Sequence, residues 1–502
     1  MRVVTSYQPR SGAVAGSVPE TAETELMRFL ERARVAAPAV ARTSPMDRSA
    51  WLHAIADALD EHNEELVEIA ERETALGVER LTAEVARAAG QLRFYGDVAC
   101  EGSYLGVAIE EATATTSRLV RANRPLGPVA VFGASNFPFA FGVLGNDTGS
   151  AIAAGCPVLV KAHPAHVLLS ERLAELAEEA LTSAGAPQGT IALVVGQEAG
   201  VSLVKADSVA AVAFTGSQSG GLALWRIANE RPTVIPVFAE MGTVNPVVVT
   251  RAAAHDVAKV AEGFVGSFTL GSGQFCTKPG VLFAPDGLRA AEAVADALHA
   301  VCPQPVLLTR GIADSFTAGL SELVEAGAEV VGSVANDKDG FAARATVMRA
   351  PMGSLEIGSR LLEECFGPVA LVTEYHDGAE LESALRTLQG SLAASVITGG
   401  EDDPDAATIV SHLSGSVGRV AVDDWPTGVA CSWAQQHGGP WPATSNPSAT
   451  SVGAAALDRF VRPVAYQSAP DEWLPMEAHS ANPWQLPRRV NGRLEVASVD
   501  PR

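Results

Sequence analysis

The sequence predicts an α/β protein with a largely parallel sheet, a second αβ unit behind it and a small separate sheet. Short, continuously apolar runs at 129–132, 157–161, 191–195, 209–215 and 234–238 alternate with helical stretches, the pattern of strands buried on both faces. Glycine-rich turns close several of these strands, as strand–turn–helix units require. Near 114–120 and 460–467 the chain instead reads as exposed, alternating strand, suited to a small sheet of its own.

The elements follow in order. After a start without an assigned element, apolar residues recur every three or four positions at 21–37, 47–60, 63–76 and 79–98, predicting four amphipathic helices. The polar, β-branched stretch 114–120 leads into Arg124-Pro125-Leu126-Gly127-Pro128 and reads as a projecting hairpin. Helices are expected at 146–154, at 170–184 and up to about 229 between the apolar strands. A long helix at 252–268 opens the second αβ unit. The stretch 460–467 is positioned to complete the sheet begun by the hairpin, and both strands leave backbone groups that another subunit would pair. The final thirty residues, rich in Pro, Asn and Trp, are expected to be irregular.

The chain's 502 residues exceed one ordinary core and imply two or three domains. With 47% apolar and 19% charged residues, it reads as compact and folded. A net charge of -22 argues against a general nucleic-acid partner, while leaving room for an anion in a small basic pocket. The cysteines at 100, 156, 276, 302, 365 and 431 have neither the density of a disulfide framework nor zinc-knuckle spacing, so reduced thiols and no metal are expected. The amino terminus lacks a secretory core and no uncharged run is long enough for a membrane span, so a cytoplasmic location is expected.

Cys276 is the residue that points to chemistry. It follows Gly271-Ser272-Gly273-Gln274-Phe275 and precedes Thr277-Lys278-Pro279-Gly280, a composition that sets a thiol at a bend beside backbone N–H groups. Glu240 and Glu364 are candidate bases for it. On their own residues, Asn136 reads as a turn cap before Pro138, Glu240 as a surface acid, and Gly216-Ser217 as an ordinary tight turn.

Phe132-Gly133-Ala134-Ser135-Asn136-Phe137-Pro138-Phe139, Leu159-Val160-Lys161-Ala162-His163-Pro164, Phe214-Thr215-Gly216-Ser217, Gly273-Gln274-Phe275-Cys276-Thr277-Lys278-Pro279, Glu363-Glu364-Cys365-Phe366-Gly367-Pro368-Val369 and His437-Gly438-Gly439-Pro440-Trp441-Pro442-Ala443-Thr444-Ser445 occur in this order. Together, over about 42–466, they resemble the aldehyde dehydrogenase superfamily, and within it the NADP-preferring bacterial branch of 2,5-dioxovalerate (α-ketoglutaric semialdehyde) dehydrogenases. The resemblance implies a Rossmann-type dinucleotide-binding domain (1–112 and 126–239), a catalytic domain (240–440), oligomerisation strands (113–125 and 455–470) and a tail (471–502).

It also implies roles. Cys276 is the nucleophile that forms a thiohemiacetal and then a thioester, Asn136 and the Cys276 N–H hold the oxyanion, and Glu240 activates the hydrolytic water. For the cofactor, it implies that Lys161 binds the adenosine ribose, Gly216, Ser217 and Gly221 open a helix onto the pyrophosphate, and Glu364 and Phe366 bracket the nicotinamide ribose and ring. Where NAD-selective relatives carry Glu, Pro164 stands here; its lack of charge favours NADP, with NAD possible. His163 either contacts the phosphate or supports the turn, and Glu364 and Phe366 are otherwise a helix-end acid and a core aromatic.

The expected substrate is a small aldehyde with a distal carboxylate, 2,5-dioxopentanoate, oxidised to 2-oxoglutarate. A medium or long-chain aliphatic aldehyde is the alternative, since Phe137, Phe139, Trp425, Trp433 and Trp441 are candidates for the tunnel lining. Transfer of the acyl group to coenzyme A is opposed by Glu240, and a noncatalytic oligomeric binding protein by the retained thiol. A homodimer or dimer of dimers is expected.

Overall fold

The computed structural model describes residues 2–496. An antiparallel hairpin, Val3–Tyr7 with Val14–Pro19, opens the chain where no element was expected. Helices Glu23–Val40, Pro45–Glu61, Asn63–Thr74 and Val78–Glu101 follow. Ser44 starts the second with a capping box, its hydroxyl accepting from the Asp47 N–H while the Asp47 carboxylate accepts from the Ser44 N–H.

The first large sheet is fully parallel. Its strands run in the order Ile191–Val194, Val158–Lys161, Val129–Phe132, Ala211–Gly216, Val237–Met241. Every residue of Val129–Phe132 is buried because helices cover both faces, which is why the strand is apolar without alternation. The carboxyl ends of these strands carry the segments that reach the cleft.

The second sheet has seven strands in the order Glu329–Ala335, Arg344–Arg349, Val369–Tyr375, Val281–Pro285, Pro246–Val249, Ser391–Ile397, Val417–Val422. All neighbours are parallel except the outermost pair, Glu329–Ala335 with Arg344–Arg349. The expected helix at 252–268 is a short 3-10 turn, Ala252–Asp256, followed by the α-helix Val257–Thr269, which Asp256 caps.

A third, five-stranded sheet corrects two of the expected boundaries. Val461–Gln467 pairs antiparallel with Leu119–Pro125, and Val107–Glu110 joins on its other side. Val107–Glu110 therefore leaves the segment 1–112 assigned to the dinucleotide-binding domain. The tail is not irregular throughout: Arg488–Val490 runs parallel to Val107–Glu110, and Arg493–Glu495 turns back on it. These strands are three residues each and largely exposed, so their ladder partners define them rather than any apolar pattern.

The amino-terminal hairpin also ties the two large units together. The Phe341 N–H donates to the Pro9 carbonyl at 2.8 Å, and Thr5 and Tyr7 reach the wall of the cleft between the sheets.

Candidate active site

A cleft of about 1050 Å³ separates the two large sheets. Its lining includes Cys276, Glu240, Asn136, His163, Gly216, Ser217, Glu364 and Phe366, eight of the ten expected site residues. Lys161 and Gly221 are outside that lining. Gly221 instead lets its helix close on the sheet, since a Cβ there would meet Met241 Sδ at 2.7 Å.

The Cys276 loop is a tight bend. Gly271, Ser272 and Gly273 all have positive φ, and a Cβ on Gly273 would come within 2.4 Å of the Gly367 backbone. Gln274 anchors the bend by accepting from the Leu308 N–H at 2.9 Å. Buried Asn245 holds the other side, donating to the carbonyls of Cys276 at 2.7 Å and Lys278 at 3.1 Å. The thiol is thus fixed by two amides that sequence reasoning had not assigned.

Around the sulfur, His437 Nε2 lies 3.6 Å from Cys276 Sγ and 2.8 Å from Glu240 Oε1. That oxygen has no well-directed hydrogen bond, so its contact with the imidazole is one of proximity. Glu240 Oε2 accepts from the Ser451 hydroxyl. Ligand atoms of Glu240, Cys276 and His437 fall within 4.8 Å of one another, a set that could hold a metal ion as well as carry a proton. Burial, and then the charges of Glu240 and Glu364, push the Cys276 thiol well above its ordinary range, while the N–H groups of Thr277 and Cys276 oppose the rise.

Asn136 is buried, and its Nδ2 donates to the Gln274 carbonyl at 2.7 Å. One of its two amide hydrogens is committed there, which orients the group and leaves the other for an oxyanion.

On the dinucleotide side, Ser217 caps the helix Gln218–Asn229, its hydroxyl accepting from the Gly220 N–H. The helix amino terminus therefore opens on the cleft at Gly216, Ser217, Ser219 and Gly220. His163 Nδ1 accepts from the Ala165 N–H at 3.1 Å, and the ring stacks on His166. Burial and the neighbouring His166 and Lys161 hold it well below its ordinary pKa. Burial lowers Lys161 to about 8.

The Glu364 carboxylate sits over Gly242, where a Cβ would overlap it. Burial raises it to about 7, against the pull of Lys278 and Arg360, and its Oε1 is buried without a partner. An orphaned carboxylate oxygen, an open helix terminus and a glycine floor fit a nicotinamide dinucleotide laid along the cleft.

Of the expected tunnel aromatics, Phe137 lines the cleft together with Phe141, but Phe139 is fully buried in the core. Trp433 and Trp441 are 55% and 53% exposed and meet Phe94 and Trp225 edge to face, while Trp425 packs on Phe264. None of the three tryptophans lines the cleft. All six cysteines are free, and among the described residues no helix is long and apolar enough to cross a membrane.

Comparison with known proteins agrees with this geometry. The aldehyde dehydrogenase family matches residues 2–446. Alpha-ketoglutaric semialdehyde dehydrogenase 2 of Azospirillum brasilense is 42% identical over 492 residues, covering 94% of this chain and 92% of that protein. The alpha-ketoglutaric semialdehyde dehydrogenase of Acinetobacter baylyi is 37% identical over 505 residues, covering 98% and 94%. Among solved structures, an E. coli NADP dependent enzyme superposes with a TM-score of 0.79 at 22% identity, over 93% of this chain and 94% of the other. A 3,6-anhydro-L-galactose dehydrogenase does so with a TM-score of 0.80 at 19% identity, over 93% and 96%.

Proposed function

The chain belongs to the aldehyde dehydrogenase family, and on that footing we propose that it oxidises 2,5-dioxopentanoate to 2-oxoglutarate with NADP. The observation that carries the chemistry is the cluster of Cys276, His437 and Glu240 beside Asn136 in one cleft. The 42% and 37% identities to two alpha-ketoglutaric semialdehyde dehydrogenases support the substrate. Pro164 in the cleft wall, where a carboxylate would repel a 2′-phosphate, supports NADP.

In this reading Cys276 attacks the aldehyde carbon as a thiolate, its proton passing toward the His437–Glu240 pair. The new oxyanion receives the free Asn136 amide hydrogen and the Cys276 N–H. Bound in the cleft, the dinucleotide supplies the hydride acceptor. What remains on Cys276 is a thioester. Glu240 then takes a proton from water as its oxygen adds to the acyl carbon, and the sulfur leaves to regenerate the thiol. Gly216, Ser217 and the following amides would hold the pyrophosphate, Lys161 the adenosine ribose, and Glu364 with Phe366 the nicotinamide end. His163 acts by shaping the turn that presents Pro164. The five-stranded sheet, with its outer strand Val461–Gln467, is proposed as the subunit contact of a homodimer or dimer of dimers; sedimentation tests it.

One observation favours a second reading. Phe137, Phe141, Phe275 and Val452 form an apolar cluster at the site, which a medium or long-chain aldehyde would also fill. A steady-state panel of 2,5-dioxopentanoate, succinate semialdehyde, glutaraldehyde and decanal, each with NAD and NADP, separates the two. The expected result is the highest kcat/KM for 2,5-dioxopentanoate with NADP. Preference for decanal would overturn the substrate, and equal use of the two cofactors would overturn the reading of Pro164.

A further inference from the structure

Helix Val78–Glu101 turns Arg80, Glu84 and Arg87 onto one face, spaced by four and three residues. That face meets the aromatic cluster beside Cys276. The Arg80 guanidinium lies 4.9 Å from the Phe137 ring centre and 5.1 Å from that of Phe275. Arg87 lies 5.5 Å from Phe137 and 5.7 Å from Phe141. Phe137 and Phe141 line the cleft with Cys276 and Asn136, and Phe275 directly precedes the cysteine.

The charges on this face are poorly matched. Among the described residues, neither arginine has a carboxylate within the 4.0 Å of an ion pair, although the chain carries an excess of acids. Arg80 donates through Nη2 to the Asn136 carbonyl at 2.6 Å, but its Nη1 is buried with no partner. Arg87 donates to the Val429 carbonyl at 2.9 Å. Glu84 is the nearby acid: its Oε1 accepts from the N–H groups of Phe139 and Ala140 at 2.9 and 3.1 Å, while its Oε2 is buried without a hydrogen-bond partner. Burial raises the Glu84 pKa and lowers that of Arg80, and each group's charge opposes the other's shift. A buried guanidinium donor left unsatisfied is costly, and a carboxylate is the group whose shape and charge it fits.

Neither arginine is among the residues lining the cleft; both lie directly behind its Phe137 and Phe141 wall. Arg80 touches Asn136 and the Phe275 ring, and Arg87 holds Val429, whose neighbour Gly428 donates to the Thr277 hydroxyl next to Cys276. We infer that Arg80, assisted by Arg87, receives the distal carboxylate of the aldehyde substrate and is the source of selectivity for acid semialdehydes. This rests on the acid-semialdehyde reading of the site.

The test is the ratio of kcat/KM for 2,5-dioxopentanoate to that for pentanal, a neutral aldehyde of equal length. The intact enzyme should show a ratio far above one. In Arg80→Met the ratio should fall about 10- to 100-fold, the worth of a charge-assisted hydrogen bond, and in Arg87→Met by a smaller factor. A purely structural defect would lower both rates together and leave the ratio in place. Arg80→Lys, which keeps the charge but not the fork, should recover part of the ratio, and it serves alongside Arg87→Met if Arg80→Met does not fold. A high ratio in the intact enzyme that persists in these variants overturns the assignment of the arginines while leaving the substrate. A ratio near one in the intact enzyme overturns both.

Discussion

Glu240 Oε1 and His437 Nε2 lie 2.8 Å apart, and the same nitrogen is 3.6 Å from the Cys276 sulfur, so one imidazole connects nucleophile and base. If the carboxylate serves mainly in hydrolysis, Glu240→Gln should slow thioester breakdown more than hydride release. Rapid mixing should then show a full first turnover of reduced dinucleotide followed by a steady rate about 100-fold or more below the parent. Equal loss in both phases would place Glu240 in thiol activation instead. Cys276→Ser should show neither phase.

The thiol should titrate high. Burial and the charges of Glu240 and Glu364 favour the protonated form, so the thiolate fraction still climbs where a free cysteine has levelled off. Alkylation of the dinucleotide-free enzyme by iodoacetamide should rise about tenfold per pH unit through pH 9. Glu240→Gln removes one of the raising charges and should move the profile to lower pH. The linkage has a definite sign. Above the unfolded thiol's pKa the native state holds more protons than the unfolded chain, so this group's share of stability falls as pH rises. A rate plateau below pH 8 contradicts the assignment.

A buried ion pair should matter for folding rather than turnover. Arg459 donates to Asp147 at 2.7 Å and to Ser150 at 3.1 Å, with side chains 3% and 9% exposed for the pair. Removing the cation alone leaves a stranded carboxylate, so Arg459→Met should cost about 3 kcal/mol. The double variant Asp147→Leu, Arg459→Met should melt closer to the parent than Arg459→Met does. A double variant that melts lower still would mean the pair contributes beyond charge compensation.

What was legible in the sequence follows from how each element is determined. Val129–Phe132 and its parallel neighbours are apolar on both faces, so their composition alone marks them. The hairpin Val3–Tyr7 with Val14–Pro19 is mostly exposed or half-buried, and no periodicity separates it from a loop. Arg488–Val490 is a strand because Val107–Glu110 lies beside it, a pairing across about three quarters of the chain. At the site, ordered motifs pointed to Cys276 and Asn136 as candidates, and the resemblance they carry pointed to Glu240. His437 stood inside a quoted motif without a role, because 161 residues separate it from the sulfur it approaches and proximity across that distance has no local signature. Arg80 reads as one more charge on an amphipathic helix until Phe137 and Phe275 are packed against it. Lys161 and Gly221 show the converse, since motif order places them near the dinucleotide while the cleft wall omits both.

Cofactor choice should turn on Pro164. It opens the 3-10 turn Pro164–His166 at a position where the ring's fixed φ suits the chain and no backbone N–H is needed. Glutamate is tolerated at such a first-turn position, so Pro164→Glu should fold. Its carboxylate would face the cleft beside the turn that His163 supports, where the 2′-phosphate of NADP is proposed to lie. Like charges held a few ångströms apart near a protein surface repel by a few kcal/mol, so kcat/KM with NADP should fall about 100-fold. NAD, with only hydroxyls to offer, should lose little and could gain a hydrogen bond from them. The ratio of the two specificity constants is the measurement. If Pro164→Glu leaves that ratio within about twofold of the parent, the 2′-phosphate lies elsewhere and this wall of the cleft does not select the cofactor.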